Sequence, residues 1–196
     1  MEVLKVNQLD LVEEINTNIE CGFHKTGYCV VENPIVFVHK AKQVDKETCE
    51  AMGYEVYEAY YNGGTIVADN GGIAIIHFQH LDNGWMMRFA DYFGNWLKDK
   101  GLNATYESND ILVDGYKVCG LCVTRYGRID YTAGFIGIHT NLDHIKAICR
   151  KPMKKVPKGL SDYGITTEEI EAMFLDFCRQ DGCDPSNPTI NYNHTT

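Results

Sequence analysis

The chain has 196 residues, enough for one ordinary domain with a sizeable core, and its 44% apolar and 23% charged residues are a globular composition. A formal net charge of −9 argues against a nucleic-acid partner, because binding a phosphate backbone needs a positive field. No apolar run approaches the roughly 18 residues of a membrane span. The opening MEVLKVNQLDLVEEI also lacks a basic region followed by an apolar stretch, so a cytoplasmic protein is expected.

Asn33-Pro34 marks a turn, and Ile35 to His39 after it reads as a strand. A short helix through KETCEAMG ends at Gly53. YEVYEAYY then leads into Asn62-Gly63-Gly64 and a strand TIVA. Asp69-Asn70-Gly71-Gly72 predicts a hairpin, whose return strand, Ile73 to Phe78, is apolar enough to be buried on both faces. Trp85, Met86, Phe89, Phe93, Trp96 and Leu97 recur at helical spacing before a stop at Gly101, and they read as core packing against a sheet.

NDILVDGYKVCGLCVT holds two strand-like runs joined by Asp114-Gly115, a strong two-residue hairpin signal. Cys119 and Cys122 stand three apart within the second run, so their side chains point to opposite faces and do not form a metal pair. Nothing else completes a zinc site, no bound metal is expected, and the eight cysteines read as reduced thiols. GFIGIHT predicts a further strand, and Thr166 with Glu169 forms a capping box before the amphipathic Ile170, Met173, Phe174 and Phe177. Residues 184–196 are polar, with two prolines, and read as a tail on a domain spanning 1–183. Strands and hairpins interleaved with a few helices define a mixed α/β (α+β) domain, a mixed sheet with flanking helices.

Positive charge is concentrated in KAICRKPMKKVPK, which holds Lys146, Arg150, Lys151, Lys154, Lys155 and Lys158. This segment is either a landing site for a phosphate or acidic partner protein or a solvated basic loop.

From about Asn33 to Phe177 the order of segments resembles the lipoate-protein ligases, relatives of octanoyltransferases and biotin-protein ligases. NGGTIVADNGG stands where that family carries a glycine-rich turn. SNDILVDGYKVCG is similar to its Asn-Asp pair, hairpin and Lys-x-x-Gly motif. KKVPKGLSDYGITTEEIEAMFLDF is similar to its lysine-rich stretch and following helix. The resemblance implies a class II aminoacyl-tRNA-synthetase/biotin-ligase-like fold. It also implies a ligase that activates lipoate or a similar acid with ATP and Mg2+ and passes it to a lysine of a lipoyl-type acceptor domain. Lys117 would be the catalytic lysine, with Asn109, Asp110 and Gly120 around it and Gly63, Gly64 and Thr65 as the pocket wall.

The chain also differs from that pattern. The arginines that precede the glycine loop fall where this chain has Glu58 to Tyr61, the third glycine is Thr65, and Asp69 takes the place of a histidine. Ile73 replaces an asparagine, Ser108 an arginine, and the last arginine-containing segment is shortened to LSDYG. Each lost arginine removes an always-charged bidentate contact. Lys154, Lys155 and Lys158 would compensate if their segment folds over the site. Two alternatives follow. An ATP-independent octanoyltransferase would draw on an acyl carrier protein through a nucleophile at Cys149, with His139 and Asp143 as base and orienter. A catalytically degenerate binding or structural protein would keep only the fold.

Overall fold

The computed structural model describes residues 3–5, 25–58, 64–80, 84–126 and 129–181. In chain order the strands are β1 (Val3–Lys5), β2 (Lys25–Val30), β3 (Ile35–Val38), β4 (Glu55–Glu58), β5 (Ile66–Ala68), β6 (Ile73–His80), β7 (Ala104–Glu107), β8 (Asp110–Val113), β9 (Tyr116–Tyr126) and β10 (Ile129–Ile136). The helices are α1 (Lys46–Ala51), α2 (Trp85–Asp99), α3 (Leu142–Ile148) and α4 (Thr167–Gln180). A seven-stranded sheet runs β1-β2-β6-β10-β9-β8-β7, antiparallel except for the β1–β2 pair, and a three-stranded sheet runs β4-β3-β5. The mixed α+β architecture is the one the sequence predicts.

One core lies between the large sheet and helices α2 and α4. Trp85, Phe89, Phe93 and Leu97 meet Phe174 and Phe177 there, over Ile73, Ile75, Cys119 and Leu121 of the sheet. Phe89 lies 5.2 Å from Phe177 and 5.9 Å from Phe174 between ring centres, both edge to face. That geometry adds to the roughly 1.5–3 kcal/mol gained by burying each such side chain. The opposite face, carrying Ala74, Ile76, Phe78, Tyr131 and Ala133, packs against Ile35, Phe37 and Ala68 of the small sheet. Residues 73 to 78 are therefore buried on both faces, as their unbroken apolarity demands.

The expected hairpin at Asp69–Gly72 is corrected in part. The tight turn forms, with Gly72 N–H donating to Asp69 O at 3.2 Å and Gly71 at φ +78°. Its two arms, however, do not pair. β5 joins β3 in the small sheet, while β6 enters the large sheet between β2 and β10. The turn is thus the crossing between the two sheets. The strand expected at GFIGIHT also begins earlier, at Ile129, and ends at Ile136. The predicted tail lies outside the described residues.

Asp114-Gly115 does make a hairpin turn, with φ +52° and +81°. A second turn of the same kind, Ser108-Asn109 at φ +50° and +71°, joins β7 to β8. Between β8 and β9 the register shifts, Ile111 facing Cys119 and Leu112 facing Lys117, so Val118 is an extra residue on β9. Cys119 enters the helix-covered core and Cys122 packs with the opposite cluster, on the two faces that their spacing requires.

After α3 the chain returns along the start of β9. Lys117 N–H donates to Val156 O at 2.9 Å and Lys158 N–H donates to Lys117 O at 3.0 Å, a short parallel pairing. Gly159 follows, placed so that an added Cβ would lie 2.3 Å from Ile138 O. Gly159→Ala must therefore move backbone, and it is expected to cost about 2 kcal/mol or more. Gly94, within α2, has nothing within 4 Å of its Cβ position. Gly94→Ala is expected to stabilise by roughly 0.5–1 kcal/mol. Urea unfolding of the two variants checks both signs.

Candidate active site

Lys117 sits one residue before the β9 bulge, and its side chain lies back over Gly120. A Cβ on Gly120 would stand 2.7 Å from Lys117 Nζ and 2.8 Å from its Cε, so the glycine is what makes room for the lysine. The ammonium is fixed by Asp110, whose Oδ1 lies 2.8 Å from Nζ, with the lysine 38% and the carboxylate 20% exposed. Asp110 pairs with Gly120 across the ladder, so strand register alone brings Asp110, Lys117 and Gly120 together.

Asn109 is the second residue of the β7–β8 turn. Its C=O accepts from Leu121 N–H at 2.8 Å, and its Oδ1 accepts from the Tyr106 hydroxyl at 3.3 Å. This Asn builds the turn that sets Asp110. Gly64 is exposed and Thr65 half-buried at the entry to β5. Gly63 and most of the Glu58–Tyr61 window lie outside the described residues.

The basic segment divides its lysines. Lys155 Nζ donates to Glu107 O at 2.7 Å and lies 3.5 Å from Asp110 Oδ2 and 3.6 Å from Glu107 Oε2. Lys158 turns the other way, its ammonium 4.3 Å from the Tyr163 ring centre and 5.3 Å from that of Tyr116, a cation–π seat. Lys154 is exposed. Of these three, Lys155 is brought to Asp110. Its position could not be read from spacing, because it depends on which residue of the segment pairs with β9.

Cys149 is placed differently from the nucleophile expectation. It packs with Val44, Cys49 and Ile148, and its backbone bridges Val44. Burial, then neighbouring Cys49, pushes its thiol up, which is the reverse of activation. Cys122 is a half-buried thiol within reach of the Lys117 charge. Burial raises it to about 11, although a backbone hydrogen bond from Ala133 and the Lys117 charge pull it down. His139 and Asp143 both line the cleft that holds Tyr54 and Asp69, with His139 Nδ1 3.1 Å from Ser161 Oγ and the Asp143 side chain 94% exposed beside Lys146.

A separate cleft of about 590 Å³ is lined by Tyr54, Asp69, His139, Asn141, His144 and Ser161 among others. Asp69 accepts there from the Tyr54 hydroxyl and, at 2.8 Å, from Asn141 N–H. Burial and then Asp69 hold the Tyr54 phenol well above its usual range, so it keeps its proton for Asp69. Its oxygen, 3.1 Å from His144 Nδ1, is left to accept from that ring. Asp69 therefore ties the sheet-crossing turn to the loop before α3.

Among the described residues, no cluster of three or more His, Cys, Asp or Glu could hold a metal ion, and no helix is long and apolar enough to cross a membrane.

The fold is that of the class II synthetase-like lipoate and biotin ligases. A Thermoplasma acidophilum protein assigned as a lipoate protein ligase, with bound lipoic acid, is similar at a TM-score of 0.75 and 14% identity, over 93% of this chain and 86% of that one. Lipoate-protein ligase A bound with ATP is similar at 0.74 and 15%, over 98% and 88%. A biotin protein ligase of Aquifex aeolicus follows at 0.52 and 8%, over 93% and 69%. No curated protein matches the sequence. The model of the lipoyl protein ligase A/B catalytic domain matches residues 8–174, and the chain belongs to that family.

Two predictions follow from this geometry. Gly120→Ala pushes Lys117 off Asp110 without touching the core, so activity is expected to fall at least about tenfold while the unfolding midpoint stays nearly unchanged. Alkylation of Cys122, followed by peptide mass mapping, is expected to be slow near pH 7 and to rise with pH until about 11, because the neutral thiol predominates below that.

Proposed function

We propose that the protein is an acyl-protein ligase, activating lipoate or a similar carboxylic acid with Mg-ATP and passing it to a lysine of a lipoyl-type carrier domain. Family membership supports this reading, as do relatives holding lipoic acid and ATP. A solved archaeal system pairs a bi-partite lipoate protein ligase with its lipoyl domain, which supports the class of acceptor. The observation that carries the reading is Lys117, half-exposed and aimed by Asp110 over a glycine.

In the reaction, an acid carboxylate oxygen attacks the α-phosphorus of ATP and pyrophosphate leaves, giving the acyl-adenylate. The acceptor amine then attacks the acyl carbon, and AMP leaves with the bonding electron pair as the amine gives up a proton. Negative charge grows on phosphate oxygens in the first step and on the acyl oxygen in the second. A fixed ammonium stabilises both more in the transition state than in the ground state. Mg2+ would accompany the nucleotide phosphates. The raised Cys149 thiol gives no support to a cysteine-borne acyl intermediate.

Intact-mass analysis of a lipoyl acceptor domain tests the proposal, with Mg-ATP and lipoate, octanoate or biotin as donors. A lysine-linked gain with lipoate or octanoate is expected, falling at least about a hundredfold in Lys117→Ala. Gain from an octanoyl carrier without ATP would replace the ligase reading with octanoyltransfer. No gain from folded protein with any donor would leave the fold as a binding scaffold.

A further inference from the structure

The carboxylates around Lys117 outnumber it. Asp110 holds its ammonium directly, and Glu107 stands at the other end of the same turn. With Lys117 as the sole cation, this corner would carry a net negative charge in a chain that is already at −9. A triphosphate or an acyl carboxylate would then approach against repulsion. Lys155 alters that balance by reaching both carboxylates, 3.5 Å from Asp110 and 3.6 Å from Glu107.

The placement follows from the backbone. Lys117 pairs with Pro157 in parallel, so Pro157 shares its face while Val156 and Lys158 share that of Tyr116. The Lys158 ammonium over the Tyr116 ring agrees with this. Lys155 comes to the Lys117 side, where a hydrogen bond to Glu107 O anchors it. Its side chain is only 22% exposed, less than that of Lys117 itself. A lysine whose only role was to solvate a basic loop would not be drawn in so far.

Resting on the ligase reading, we infer that Lys155 is a second cation of the site. It is a positioning residue that shares Asp110 with Lys117 and offsets Glu107, so that the corner can accept the nucleotide's phosphates. Asp110 thereby holds one ammonium on each oxygen. The charge that this chain lacks near Glu58 to Tyr61 is supplied instead by the segment after α3.

The test is Mg-ATP binding by calorimetry, together with acyl-transfer kinetics, in Lys155→Met, Lys155→Arg, Glu107→Gln and an exposed control, Lys98→Met. Lys155→Met is expected to weaken ATP binding roughly tenfold and to raise KM for ATP by more than it lowers kcat. Lys155→Arg should restore most of the loss, Glu107→Gln should tighten binding, and Lys98→Met should change neither. The opposite signs at 155 and 107 separate charge from mere support of the turn. Unchanged ATP affinity in Lys155→Met, weakening in Glu107→Gln, or a wild-type protein that does not bind ATP would each overturn the inference. If Lys155→Met does not fold, Glu107→Gln at a 59% exposed side chain decides by itself. Acyl transfer with ATP binding indifferent to Lys155 keeps the ligase and removes this role. Lys155-dependent ATP binding without transfer does the reverse.

Discussion

The backbone of Lys117 is bonded on both its polar groups by the segment that follows helix α3. That pairing fixes the lysine's strand against Val156–Lys158, and the chain beyond is then constrained residue by residue. Leu160 N–H reaches Gly137 O and Ser161 N–H reaches Ile138 O, at 3.0 Å each. Gly159 must lie against the Ile138 carbonyl with no room for a side chain. Gly164, at φ +75°, turns the chain into the capping box of α4. Helix α4 packs against α2 and the large sheet, so the position of the site lysine and the closure of the core belong to one set of bonds.

Much of this arrangement could be read from residue pattern because local and tertiary preferences coincide. The Asp114-Gly115 turn, the α2 stripe and the Thr166–Glu169 box are such places. Reading failed where a side chain's partner lies far away in sequence. β2 carries no clear strand signal in the sequence, and its buried polar Thr26 finds a partner in His77 Nδ1, 2.8 Å from its hydroxyl and 51 residues away. That His77 ring stacks on Trp85 at 4.3 Å, so one polar pair joins strand, strand and helix. The Asp69–Gly72 turn was legible as a turn, but which sheet each arm joins is decided by burial of Ala68 and Ile73 in separate clusters.

Asp69 has a definite local purpose in the frame. A carboxylate there accepts two hydrogen bonds, from Tyr54 and from the Asn141 backbone, and binds the sheet crossing to the loop before α3. That coupling needs an acceptor at both oxygens, which an imidazole does not supply. Asp69 thus braces the frame. Positive charge, in turn, is delivered by a segment some 90 residues further along the chain.

Whether a lysine held by a carboxylate remains available to substrate turns on exposure. A fully buried Lys–Asp pair would be costly to part, several kcal/mol, because each charge would be left in a low-dielectric site. At 38% and 20% exposure the Lys117–Asp110 pair is a partly solvated one, for which the net attraction is about 1 kcal/mol. In the proposed reaction the phosphates of ATP, which together carry more charge than a single carboxylate, would therefore draw Lys117 away at small cost. Asp110 meanwhile keeps Lys155 on its other oxygen and is not stranded. On the proposed reaction, such a pair would be stable enough to aim the ammonium before substrate arrives and weak enough to release it afterwards.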